Sequence, residues 1–254
     1  MGVENKKIKS IIIVGGGTSG WMTAATLGQQ FKNSSTKVTL IESTAMGTIG
    51  VGEATIPTLR RFYTKLGFTD QEVLTATNAT CKLGIEFKGW SGDNSSFIHP
   101  FGLYGQEVNH VPFHHYYNKL AQNGDSTPFP DYSLGVNLAK QDKFCQPSTT
   151  PKNQLEIFDW ALHFDAGLFA KLMRDYSLKH GIIHIDGKIE HVNVNKTSGD
   201  IDTLILESGQ TISGYLFIAC SGFSALLLDQ ALKTGYDDWS KYLVCDTGVQ
   251  EQSE

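Results

Sequence analysis

An α/β fold organised on a parallel sheet is what the sequence predicts, and three observations predict it. Ile11-Ile12-Ile13-Val14 is a continuous β-branched run, as a strand buried on both faces requires. It leads into Gly15-Gly16-Gly17-Thr18-Ser19-Gly20, after which residues 21–31 carry small and apolar side chains at helical spacing (Ala24, Ala25, Leu27, Gly28, Phe31). Lys37-Val38-Thr39-Leu40-Ile41 then reads as a second strand, ending on Glu42, 22 residues past Gly20.

These parts form one βαβ unit with a nucleotide-binding pattern. Gly15, Gly17 and Gly20 fit G-x-G-x-x-G. The first permits the tight turn, the second lets backbone approach a pyrophosphate, and the third lets the helix pack on the strand. The helix start, with Thr18 and Ser19 in it, offers unpaired N–H groups and a positive dipole end to phosphates. Glu42 stands where a carboxylate accepts hydrogen bonds from the ribose hydroxyls of an adenosine. A nicotinamide enzyme would continue with strands and helices of similar length. Here the glycine-rich Met46-Gly47-Thr48-Ile49-Gly50-Val51-Gly52-Glu53 follows, and then a long irregular region. That pattern favours FAD, with the second half of the nucleotide fold replaced by insertions.

Composition bounds the remaining choices. The chain has 254 residues, 40% of them apolar and 19% charged, which excludes a mainly disordered or collagen-like protein. Its net charge of −5 argues against nucleic acid as a partner. No apolar run approaches the roughly 18 residues of a membrane span. Cys81, Cys145, Cys220 and Cys245 are far apart without Cys-x-x-Cys spacing, so they are expected to be free, buried thiols in a cytoplasmic protein.

Further along, residues 56–63 read as a helix with Pro57 in its first turn. Thr69-Asp70-Gln71-Glu72 is a capping box, and its helix is expected to run toward Lys82. Residues 83–90 alternate as a strand does. Residues 91–153 hold six of the seven prolines and are expected to be loops and short helices forming a lid or substrate region. The spacing of His110, His114 and His115 could put two imidazoles on one helical face, but no carboxylate or cysteine set completes a site, so no metal is expected. Asp165 caps a helix with apolar face Leu168, Phe169, Leu172, Met173 and Tyr176, ending at Lys179-His180-Gly181. Residues 182–195 and 201–207 follow as two strands. Residues 216–222 form a third, buried strand that closes on Gly222, where a sheet's carboxyl end meets a ligand. Three segments result: residues 1–90 for FAD and a lysine region, 91–153 as the insertion, and 154–254 completing part of the FAD-binding domain.

Taken together, five stretches resemble the flavin-dependent tryptophan halogenases. They are Gly15-Gly16-Gly17-Thr18-Ser19-Gly20-Trp21-Met22, Gly50-Val51-Gly52-Glu53-Ala54-Thr55-Ile56-Pro57, Lys82 ahead of Ile85-Glu86-Phe87 and Trp90, His163-Phe164-Asp165-Ala166-Gly167-Leu168-Phe169, and Leu216-Phe217-Ile218-Ala219-Cys220-Ser221-Gly222-Phe223. They lie in family order along nearly the whole chain, and the Val-Gly-Glu-Ala-Thr-Ile-Pro stretch is more specific than the glycine fingerprint. The resemblance implies a Rossmann-like FAD-binding fold of the flavin monooxygenase and halogenase type, with an inserted substrate region. It further implies that a separate flavin reductase supplies reduced FAD and that the reduced flavin and O2 give a hydroperoxide. Halide attacks that species to yield hypohalous acid, which Lys82 positions or carries toward tryptophan or an indole-like aromatic. Cofactor contacts are implied at Gly15, Gly17, Thr18, Ser19, Gly20, Glu42, Val51, Glu53, Ala54, Ile189 and Gly222. A homodimer is left open.

Three departures accompany the resemblance. Similar halogenases commonly carry Asp where this chain has Ala219, and Arg where it has Ser224. Their second half, with a substrate-activating glutamate, the halide site and a Trp-x-Trp-x-Ile-Pro motif, has no counterpart here. Residues 249–254 are polar where the family continues in an apolar strand. The chain is therefore expected to be an N-terminal portion, incomplete at its C-terminus. The competing expectations are an FAD-dependent aromatic monooxygenase of the same fold and an inactive FAD-binding fragment.

Overall fold

The computed structural model describes residues 7–46, 52–245 and 247. Val51 lies outside them, and of Glu53 and Ala54 only the backbone is described. In chain order the elements are β1 (Ser10–Val14), α1 (Thr18–Phe31), β2 (Lys37–Glu42), β3 (Gly52–Ala54), α2 (Thr58–Leu66), α3 (Asp70–Ala76), β4 (Thr80–Lys82), β5 (Gly84–Lys88) and β6 (Ser96–Pro100). They continue with α4 (Phe113–Gln122), α5 (Leu134–Lys140), β7 (Ala161–Asp165), α6 (Ala166–Lys179), β8 (Ile183–Asp186), β9 (Ile189–Val194), β10 (Ile201–Leu206), β11 (Thr211–Ser213) and β12 (Leu216–Ala219). Among the described residues no helix is long and apolar enough to cross a membrane. The chain divides into two compact units: Met1–Glu53, Gln71–Asn78 and Phe164–Glu254 form the first, and Ala54–Asp70 and Ala79–His163 the second.

The first unit carries a four-stranded parallel sheet in the order β12-β1-β2-β8. Ile13 lies between Ile218 and Leu40 and is fully buried, as a β-branched residue of a central parallel strand should be. Helices α1 and α6 pack together. Helix α6 begins where the Asp165 carboxylate accepts the Leu168 N–H at 2.8 Å. It buries Phe169 and Met173 completely, each worth about 1.5–3 kcal/mol of burial, and stops at Gly181, whose φ is +83°. A second, antiparallel sheet in the order β11-β10-β9 adds Leu204, Leu206 and Ile212 to a core shared with Ile12, Val14 and Ile41.

Several expectations about this unit are corrected. Residues 182–195 are two strands in different sheets, because the chain breaks at Gly187, whose N–H donates to the Glu42 carbonyl at 2.7 Å. A Cβ at Gly187 would come within 2.8 Å of Leu206 Cδ1. The helix expected to run toward Lys82 ends at Ala76. Asn78 takes a left-handed φ of +50° and turns the chain, so Lys82 sits on a strand. Strand β12 is an edge strand with exposed or half-buried residues, not a buried one. The thiols are free but not core residues, since Cys145 and Cys245 are exposed in loops and Cys81 and Cys220 are half-buried.

In the second unit, β5 and β6 form an antiparallel pair from Gly84↔Pro100 to Lys88↔Ser96. Strand β6 was not legible within its Gly/Asn/Ser-rich surroundings. Helix α2 spans Thr58–Leu66, with Pro57 at the N-cap rather than in the first turn, and Gly67 (φ +98°) stops it. The insertion carries short helices among its loops, as expected, with α4 ten residues long, Tyr104 and Phe113 stacked on Phe129, and Tyr132 tilted against Phe113. His114 and His115 lie on α4 with ring centres 4.0 Å apart, and His110 Nδ1 stands 3.6 Å from Glu107 Oε1.

Candidate functional site

Two sets of residues carry chemistry, one in each unit. In the first unit the glycine turn links β1 to α1. A Cβ at Gly15 would stand 2.1 Å from the Cys220 carbonyl oxygen, and Gly15 holds φ +114°, so only glycine fits there. A Cβ at Gly20 would stand 1.9 Å from the Gly15 carbonyl oxygen, which is the close approach the third glycine of the fingerprint provides. At Gly17 a Cβ would meet nothing within 4 Å. Gly17 is also the N-cap of α1, with no side chain capping it and no acidic residue in the first turn. The open face of this turn therefore presents helix N–H groups, including those of Thr18 and Ser19, to an anion. Beside it lies Glu42, at the carboxyl end of β2, whose carboxylate fills the space a Cβ on Gly16 would take. This donor set, with an anion cradle and a carboxylate acceptor next to it, fits the diphosphate and ribose of a dinucleotide such as FAD.

Other positions predicted to touch the cofactor fall in different places. Gly222 follows β12 at φ +60° with open space in front of it. Ile189 opens β9 and packs, half-buried, against the Ile12 core. Ala219 ends β12, and the Ser224 hydroxyl donates to the Ser221 carbonyl at 2.7 Å, so neither position carries a charge here.

In the second unit Lys82 ends β4, which pairs with β7 through Thr80↔His163, Cys81↔Leu162 and Lys82↔Ala161. Its side chain is buried, with the residue 7% exposed, and Nζ donates to the Thr55 carbonyl at 3.0 Å. The Thr55 position is itself fixed by hydrogen bonds of its N–H and hydroxyl to the Leu162 carbonyl. Nζ stands 5.5 Å from the centre of the Phe101 ring. Burial holds the Lys82 pKa below the usual lysine range. Lys82 lines a cavity of about 550 Å³ together with Cys81, Glu86, Lys143, Phe144 and His163 among others. Burial pushes the His163 pKa down, and the Lys82 charge adds to it. Burial pushes the Cys81 thiol up. A partly desolvated amine in a cavity wall can act as a hydrogen-bond donor or, once deprotonated, as a nucleophile.

Behind β4 a polar network braces the unit. Arg60 bridges Asp70 at 2.8 Å and Asp159 at 2.7 Å, and stacks 4.0 Å from the Trp160 ring centre. The buried Tyr63 hydroxyl donates to Asp70 at 2.6 Å. Burial pushes the Asp70 carboxyl up, but the hydrogen bonds from Arg60 and Tyr63 and the Arg60 charge outweigh it and hold it below the usual carboxylate range. Burial and the Asp70 hydrogen bond push the Tyr63 pKa well up.

Sequence reasoning did not identify Cys81 or His163 as neighbours of the Lys82 cavity, nor His184 as the neighbour of Glu42. Each is brought in by strand pairing or cavity shape, for which local sequence carries no signal.

A family model described as tryptophan halogenase matches residues 10–254. Tryptophan 6-halogenase ThaL of Streptomyces albogriseolus is 32% identical over 96% of this chain and 48% of its own length. Among solved structures, the flavin-dependent halogenase BrvH from Brevundimonas sp. BAL3 superposes with a TM-score of 0.89 at 51% identity, over 94% of this chain and 47% of that one. Xcc4156, a flavin-dependent halogenase from Xanthomonas campestris, gives 0.85 at 38% identity, over 93% and 46%. The chain thus spans about half the length of the relatives it matches.

Proposed function

The chain belongs to the tryptophan halogenase family, and from that premise we propose that it provides the flavin-binding and lysine-bearing part of an FAD-dependent halogenase acting on tryptophan or an indole-like aromatic. The observation that carries this reading is the buried amine of Lys82 in a cavity wall, in a chain that also holds an open glycine turn beside an acidic strand end. Reduced FAD, delivered by a separate reductase, supplies with O2 the oxidising power that turns halide into hypohalous acid. The turn at Gly15, Gly17 and Gly20 with Thr18 and Ser19 holds the diphosphate, and Glu42 takes the ribose hydroxyls. Val51, Glu53, Ala54, Ile189 and Gly222 are further contacts in the same reading, and a cytoplasmic location goes with it.

Lys82 acts on the halogen. As an ammonium it donates a hydrogen bond to the oxygen of hypohalous acid and makes the halogen more electrophilic. As a free amine it takes the halogen itself and releases water. Burial, by lowering the cost of losing the proton, brings both forms into reach. In the wall around it, Leu83, Ile98 and Phe144 offer an aromatic ring apolar contact near the amine.

The test supplies the protein with FAD, a flavin reductase, O2, bromide and indole or tryptophan, and weighs the products. Replacement of a ring hydrogen by bromine, dependent on bromide, is expected. Insertion of oxygen without halide dependence would overturn the reading in favour of a monooxygenase.

A further inference from the structure

Beside Glu42 stands a second ionisable group whose place nothing above explains. His184 lies on β8, opposite Leu40 in the ladder, two positions removed from the Glu42↔Asp186 pair and so on the same face of the sheet. Its side chain is 14% exposed, and its Nε2 is buried without a hydrogen bond among the described residues. That nitrogen nevertheless stands 3.0 Å from Glu42 Oε1, outside hydrogen-bonding alignment. The Glu42 carboxylate is thus caught between two surfaces, with one oxygen facing His184 and the other over Gly16, where a Cβ would come within 1.5 Å of it.

Every element around the ring presents a group that matters to its charge. From β2 comes the Glu42 carboxylate, and from α1 the Trp21 ring at 5.4 Å. From α6 comes Arg174, whose guanidinium lies 5.8 Å from the Trp21 ring centre. From β8 itself comes Asp186, whose two oxygens accept from the Thr44 N–H at 3.0 Å and hydroxyl at 2.6 Å. The Thr44 hydrogen bonds, joined by the charges of His184 and Arg174, hold Asp186 below the usual carboxylate range, so it stays ionised. Asp186 therefore shares the field of His184, and Glu42 is the carboxylate within direct reach of the ring, at 3.0 Å.

We infer that His184 is a positioning residue for Glu42: a neutral ring leaves the carboxylate free beside the glycine turn, and a protonated ring captures it and withdraws it from the ribose hydroxyls. The inference rests on the FAD-binding reading above. An imidazolium 3.0 Å from a carboxylate forms a charge-assisted hydrogen bond after a small ring rotation, and the paired oxygen is then a poorer acceptor for a sugar hydroxyl. Imidazole is the side chain whose charge ordinarily changes between about pH 5 and pH 8.

Binding of FAD and of FMN, which lacks the adenosine ribose, is measured by flavin fluorescence across that range. FAD affinity is expected to fall about tenfold from pH 8 to pH 5.5 in the parent chain, the loss typical of one hydrogen bond to a charged group. FMN affinity stays level. His184→Gln flattens the FAD profile to within about twofold. Because that variant alters a buried ring, imidazole NMR of the parent chain gives a second readout, in which the apparent pKa of His184 falls when FAD is added. A level FAD profile in the parent chain, a fall shared equally by FMN, or a His184 pKa that FAD leaves unmoved overturns the inference and leaves FAD binding intact. No FAD binding at any pH overturns the FAD reading and the inference together.

Discussion

Lys82 places a buried amine in a cavity wall, held by one hydrogen bond to the Thr55 carbonyl. Burial disfavours its ammonium, so the folded state holds the proton less tightly than the unfolded chain. Stability attributable to this group therefore rises with pH from its depressed pKa up to the ordinary lysine value near about 10.4. Lys82→Met is expected to gain about 1 kcal/mol in denaturant unfolding at neutral pH, the usual sign for replacing a buried functional charge by an apolar group of similar size. A clear loss of stability would show that the ammonium is structural. In amine labelling followed by peptide mass spectrometry, the Lys82 half-point is expected at lower pH than those of surface lysines. The glycine turn gives a second contrast. Gly15→Ala meets both a positive φ and the Cys220 carbonyl, and is expected to destabilise by more than about 2 kcal/mol. Gly17→Ala has open space and is expected to keep the fold while weakening FAD binding, which paired melting and binding curves would check. Gly15, Gly20 and Glu42 were legible because their spacing has a local mechanical cause. Lys82 was legible only through family resemblance, since three or four residues around a lysine say nothing of its burial. His163 and Cys81 were not legible, because a cavity wall is assembled from β4, β7 and the loop after α5.

Among the elements, the brace behind β4 depends on Arg60 holding two carboxylates at once. Asp70 has its pKa depressed in the folded state, so its contribution is present above the unfolded carboxyl value near about 3.9 and is lost as pH falls through the folded value. Asp70→Asn is expected to cost about 1–3 kcal/mol at pH 7 and to flatten the acid limb of the stability curve below about pH 4. A variant with an unchanged acid limb would remove Asp70 from the network. Helix α6 was read from sequence nearly residue for residue, because its start is an Asp165 cap and its end a glycine in the left-handed region. The failures share a different cause. The end of α3 at Ala76 and the break at Gly187 are both imposed by backbone partners distant in sequence. The Thr77 carbonyl accepts the Asp165 N–H, and the Glu42 carbonyl accepts that of Gly187. A helical or alternating pattern carries no trace of either constraint.

For the molecule as a whole, the class of fold was legible from its first 42 residues, and so were strand β10, a strand ending near Asn195 and short helices in the insertion, whereas the break that assigns β8 and β9 to different sheets, strand β11 and strand β6 were not. Strands β6 and β11 are short and are specified by pairing partners rather than by periodicity. Binding to the folded glycine turn has a global consequence. FAD at a hundredfold excess over its Kd is expected to add about 2.7 kcal/mol to unfolding. A melting curve that FAD leaves unmoved would deny the turn its role. The relation between the flavin and the lysine is settled by one comparison of the parent chain with Lys82→Ala, each given FAD, a flavin reductase, O2, bromide and indole, with brominated product and oxygen consumption recorded together. Loss of bromination in the variant with oxygen consumption unchanged is expected; a variant that brominates at the parental rate would contradict the role of Lys82.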